Sequence, residues 1–111
     1  MDALLWILRI VLALAFAGAG AMKLTQPKEK LRPRMGWVDD FSATMVKAIG
    51  GAEVVGAIGL LIPALTSIAA TGLVVIMIGA VVTHVRRKEI PLVVPPAVLL
   101  ALSTALAVGA A

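Results

Sequence analysis

The sequence predicts an all-α polytopic membrane protein, a bundle of four transmembrane helices. Two observations carry this. Of the 111 residues 61% are hydrophobic and only 14% charged, whereas soluble domains carry about 25% charged residues. The apolar residues also gather into four runs separated by charged or proline-rich breaks. A soluble domain this small has too much surface for its volume to hide so much apolar side chain. The runs lack the period-two alternation of barrel strands, and an isolated segment in hydrocarbon satisfies its backbone only as a helix.

The first span covers about residues 3–22, with Arg9 inside it. Asp2 followed by that run is not the basic start of a signal peptide, and three more spans follow, so this helix is read as retained. The second covers about 46–63 and contains Glu53. The third covers about 67–85 and the fourth about 91–110. Each meets the roughly 17–25 helical residues that a crossing needs. All four belong to a single domain over residues 1–111. Pro91, Pro95 and Pro96 crowd the start of the fourth span, which therefore begins near Pro95 or enters through a bent first turn.

The connections are unequal. A long loop at 23–45 carries Lys23, Lys28, Lys30, Arg32 and Arg34; the third connection carries Arg86, Arg87 and Lys88. The turn at Pro63–Thr66 has no charge. Four crossings put both basic connections on one side, and the positive-inside rule makes that side cytoplasmic, with both termini outside, in the plasma (bacterial inner) membrane. Within the long loop, Thr25 and Pro27 have the form of a helix start. Pro33 and Gly36 then break it, and Trp37 and Phe41 are expected at the headgroup boundary, anchoring the second helix, with a partner-binding or lid role as the alternative.

Helices in lipid associate by close approach, so small residues mark seams. Ala13, Ala17 and Gly20 follow Arg9 along one face of the first span, and Ala48, Ala52 and Gly56 recur in the second. Gly72 and Gly79 are expected to meet Ala101 and Ala105 between the third and fourth. Charges within spans usually face the interior and pair. Arg9 and Glu53 lie about 9 Å and about 15 Å from the outer ends of their helices at 1.5 Å per residue, so an Arg9–Glu53 ion pair is expected. The competing role for Glu53 is proton or substrate relay, with which an adjacent cation interferes by favouring the ionised carboxylate. Arg9 can also snorkel to the outer surface. Lys23, Lys47 and His84 form a second polar group at the cytoplasmic ends. His84 either caps its helix or contacts a headgroup, a quinone carbonyl or a proton, since histidine changes charge near neutral pH.

Several chemistries are excluded. The chain has no cysteine and a single histidine, so thiolate chemistry, disulfides and a bis-histidine haem cannot be built from one copy, and no metal site is expected. The net charge of +4 sits at the membrane edge, which argues for lipid rather than nucleic acid.

Three stretches make the chain recognisable: RIVLALAFAGAGAMKL at Arg9–Leu24, GGAEVVGAIGLLIPAL at Gly50–Leu65 and MIGAVVTHVRRKE at Met77–Glu89. In their order and spacing the chain resembles the DoxX-like family of small four-helix membrane proteins. The family's arginine and Gly-x-x-Lys-Leu fall on Arg9 and Gly20–Leu24. Its Gly-x-x-Glu, Gly-Leu and proline fall on Gly50, Glu53, Gly59-Leu60 and Pro63, and its small-residue-to-histidine ending on Ala80 and His84. The resemblance implies a membrane protein without autonomous catalysis, binding a protein partner or a small lipophilic ligand. One branch is similar to the membrane subunit associated with thiosulfate:quinone oxidoreductase, which implies an alternative role as accessory subunit of a quinone-linked oxidoreductase. Quinone is the one cofactor it admits. Animal relatives look like assembly chaperones for ion-channel subunits, which leaves a homo-oligomer or a membrane or soluble protein partner open. A third alternative, a small proton-coupled exporter, has the length and span count of small multidrug-resistance transporters. Their essential glutamate, however, lies in the first helix, where this chain has Arg9.

Overall fold

The computed structural model describes residues 2–33 and 35–110, and all their side chains except those of Asp2, Lys28, Asp39 and Asp40. Arg34, one of the basic loop residues, therefore lies outside the described residues. The fold is all-α. Helix α1 runs Asp2–Thr25, the single turn α2 Lys28–Leu31, α3 Ala43–Leu60, α4 Thr66–Arg86 and α5 Val94–Gly109. Short 3₁₀ turns at Gly36–Asp40, Pro63–Leu65 and Ile90–Val93 make the corners. Four segments are long and apolar enough to cross a membrane: Ala3–Thr25, Ala43–Leu60, Pro63–Arg86 and Ile90–Gly109.

Local chemistry sets most helix ends. Thr25 proves to end α1 rather than to start the next helix: its hydroxyl donates to the Ala21 carbonyl at 2.7 Å, and Pro27 then stops the ladder. Ser42 caps α3 by accepting from the Met45 amide at 3.0 Å, which satisfies one of the orphan donors of the first turn. Thr66 opens α4, wholly buried, and its hydroxyl lies 3.1 Å from the carbonyls of Leu60 and Ile62. The second corner is thereby tied to the end of α3. At the far end of α4, Lys88 takes φ +59°. Its amide reaches the Val85 carbonyl and that of Glu89 the His84 carbonyl, at 3.0 and 2.9 Å. This is a Schellman closure with lysine in glycine's usual place. Proline decides the last corner: Pro91 sits in the 3₁₀ turn and Pro95 and Pro96 in the first turn of α5, where their missing amides cost nothing.

Helix α1 packs chiefly on α3, and α4 on α5. The α1 and α3 backbones come into direct contact at Gly20 and Gly50. A Cβ on Gly20 would lie 2.5 Å from the Gly50 carbonyl oxygen, and one on Gly50 would lie 2.8 Å from that of Gly20. Only glycine admits this backbone contact. Ser67 joins α4 to α5 through the Ala107 carbonyl at 2.9 Å, and Gly109 abuts Leu5 where α5 returns to α1. Leu12, Phe16, Ala57, Leu60, Leu73 and Leu106 fill the shared core.

The expected small-residue seam between α4 and α5 is not the one used. Among the described residues nothing lies within 4 Å of a Cβ built on Gly72 or Gly79, and Ala101 and Ala105 are exposed. The buried face of α4 is Thr66, Ala70, Leu73 and Met77. Gly72 sits two residues beyond Ala70, about 200° around the helix. In lipid an outward face can be as small or as apolar as an inward one, so composition does not tell them apart.

Candidate functional site

Both basic connections lie at one end of the bundle. Arg87 of the α4–α5 corner stands 3.1 Å from where a Gly36 Cβ would be. The long loop folds back over this end: Leu31 and Val38 bury against Val46 of α3, with Met22, Met35, Trp37 and Phe41 around them. Trp37 and Phe41 meet edge to face, their centroids 5.6 Å apart, which is a favourable aromatic geometry. Both are half-buried and line the space beneath the loop.

Beneath this cover lies a cavity of about 410 Å³. Helix α1 contributes Ala19 and Lys23; α3 contributes Ile49 and Glu53; α4 lends Met77, Ala80, Thr83 and His84; Pro95, Pro96 and Leu99 close it from α5. Met35, Trp37 and Phe41 form its roof. The cavity is therefore apolar in its walls, with its polar groups convergent, as small-molecule sites usually are.

The expected Arg9–Glu53 pair is replaced by another. Lys23 donates from Nζ to Glu53 Oε1, and both side chains are buried. The glycine contact sets this register. Glu53 lies three residues, about 4–5 Å, beyond Gly50, whereas Arg9 is eleven residues, about 16 Å, from Gly20 in the same direction. Helical side chains also tilt toward their N-terminus. That tilt carries Lys23 toward the level of Glu53 and carries Arg9 away. Arg9 instead stacks on Trp6, with its guanidinium carbon 4.6 Å from the ring centroid. Its buried Nε has no hydrogen-bond partner among the described residues.

Lys23 also sits 5.5 Å from the centroid of Trp37, a cation–π distance that joins the charged pair to the roof. His84 lines the cavity with Nδ1 3.1 Å from Glu89 Oε1, and Arg87 Nε donates to the same oxygen at 3.1 Å. Lys47 belongs elsewhere. Its Nζ donates to the Leu24 carbonyl at 2.9 Å, closing the end of α1 from the neighbouring helix. Of the residues singled out in the sequence, the structure thus gathers Lys23, Glu53 and His84 around one space and leaves Arg9 and Lys47 outside it. Trp37, Met77 and Pro96 were not legible as walls. The signal was an aromatic pair with Leu31, Met35 and Val38 in a loop otherwise rich in charge.

Among the described residues no three acidic or histidine side chains converge as a metal site would require. The DoxX-like family pattern matches residues 7–106, nearly the whole chain. The chain belongs to the DoxX-like family. No curated protein and no solved structure matches it. As a DoxX-like protein it is a multi-pass membrane protein, and the three recognisable stretches acquire a spatial meaning. Gly20–Leu24 supplies the glycine contact and the lysine, Gly50–Glu53 supplies the opposing glycine and the carboxylate, and Ala80–His84 forms the wall that faces them.

Proposed function

We propose that this DoxX-like protein is a non-catalytic membrane bundle that binds a small lipophilic ligand in the cavity at its basic end. The observation that carries the reading is the cavity itself, about 410 Å³ with mostly apolar walls and Lys23, Glu53, Thr83 and His84 in its lining. Apolar walls hold a lipophile, and a few fixed polar groups orient its head. Native mass spectrometry from lipid discs tests it. The wild-type protein should retain a small-molecule adduct, and Ala80→Phe, which fills the space from α4, should lower occupancy about tenfold or more. An adduct unaffected by Ala80→Phe, or none in the wild type, overturns the reading.

The basic end is assigned to the cytoplasm, in the plasma (bacterial inner) membrane, with both termini outside. In the sequence, Lys23, Lys28, Lys30, Arg32, Arg34, Arg86, Arg87 and Lys88 belong to the first and third connections and no lysine or arginine to the Pro63–Thr66 corner, a bias that orients membrane proteins. Cysteines introduced at Ala64 and at Glu29 should react with an impermeant thiol reagent in intact cells at 64 alone. Labelling at 29 alone would invert the topology.

The aromatic roof beside the Lys23 donor favours one narrower role, an accessory subunit that holds a quinone for a partner oxidoreductase. Trp37 and Phe41 would pack on its ring and Lys23 would donate to a carbonyl oxygen. Electrons would come from the partner protein. Proton-coupled export is less well supported, because the carboxylate that would carry the proton is held by Lys23.

A further inference from the structure

The polar side chains in the cavity lining come from different helices: Lys23 from α1, Glu53 from α3 and His84 from α4. An ammonium has three hydrogens; Lys23 directs one at Glu53, and the carboxylate balances its charge. Lys23 therefore offers N–H donors from a pair that is neutral as a whole. On α4, His84 Nδ1 faces Glu89 Oε1. A carboxylate only accepts, so Nδ1 carries the hydrogen. Arg87 donates to the same oxygen and supplies the carboxylate's counter-charge. In the neutral imidazole with its hydrogen on Nδ1, Nε2 is an acceptor.

We infer that the ligand is an uncharged lipophile whose head is a hydroxyl, accepting from Lys23 and donating to Nε2 of His84. This rests on the ligand-binding reading of the cavity and adds the chemical class. An ionic head would bring a charge without a counter-ion into a site whose own charges already cancel. An ether, or a quinone in its oxidised form, can accept from Lys23 but leaves the histidine nitrogen without its proton donor, whereas the reduced quinol carries the hydroxyl that serves both; sites built around a hydroxyl reject analogues that lack it. The apolar walls take the remainder of the molecule.

Quenching of Trp37 by brominated lipophiles tests the inference in lipid discs, using the full chain with Trp6→Phe so that the roof tryptophan alone reports. The probes are 11-bromo-1-undecanol, its methyl ether, 11-bromoundecanoate and (11-bromoundecyl)trimethylammonium. The alcohol should quench saturably, with the ether and both ions weaker by about tenfold or more. His84→Ala should abolish the preference of alcohol over ether, and His84→Gln, which restores an acceptor, should recover it. Equal affinity for the ether, tighter binding of either ion, or a preference that survives His84→Ala overturns the hydroxyl assignment while the cavity still binds. If no probe quenches saturably, or if Ala80→Phe leaves quenching unchanged, the cavity reading itself fails, and the two failures are thereby told apart.

Discussion

Replacing Lys23 with methionine should destabilise the protein by about 3 kcal/mol, because it strands the Glu53 carboxylate in a buried site. Glu53→Gln should cost less, since a long lysine stem can carry its charge toward the headgroups. The double variant should recover part of the loss, giving a coupling energy on the order of 1–3 kcal/mol. Arg9→Met should combine with Glu53→Gln additively to within about 0.5 kcal/mol, as expected for sites that share no partner. Unfolding in mixed detergent micelles measures all of these. Coupling between Arg9 and Glu53, with none between Lys23 and Glu53, would refute the pairing. Because Lys23 also touches the Trp37 ring, Lys23→Met should shift Trp37 emission, whereas Arg9→Met should shift only that of Trp6.

The four glycine-to-alanine changes in the bundle should split by sign. Gly20→Ala and Gly50→Ala each push a methyl group into the opposing backbone carbonyl. A backbone carbonyl cannot turn aside as a side chain can, so the gain in helix propensity is outweighed and each should cost about 1–3 kcal/mol. Gly72→Ala and Gly79→Ala meet nothing within 4 Å and should stabilise by up to about 1 kcal/mol through propensity alone. Thermal denaturation in detergent reads the difference directly. Four changes of the same sign would show that the α1–α3 contact is not where the structure places it. The first two changes should also weaken the Lys23–Glu53 pair, since the same contact sets its register.

Much of this architecture was legible in the chain. Four apolar runs, the unequal connections and the prolines before α5 required no tertiary information, because hydrocarbon demands helices of a known length and proline states its preferred turn. The partner of Glu53 was not legible. Reading α1 as ending at Met22 put Lys23 just outside the span, as a possible ligand or headgroup contact rather than as the partner of Glu53; in the structure α1 continues to Thr25 and Lys23 is buried inside its last turn.

Composition and order alone determined that this protein lives in lipid, crosses four times, concentrates its basic residues in two connections and places a carboxylate within a span. These follow from the cost of water against apolar surface and of lipid against charge, which act residue by residue. Which charges meet, which small faces touch, and that Lys23, Glu53 and His84 surround one cavity under Trp37 were decided only by the tertiary structure. In a chain apolar on nearly every side, hydrophobicity no longer distinguishes inside from outside. Helix rotation and register depend instead on where two backbones can come close enough, and here that place is Gly20 against Gly50.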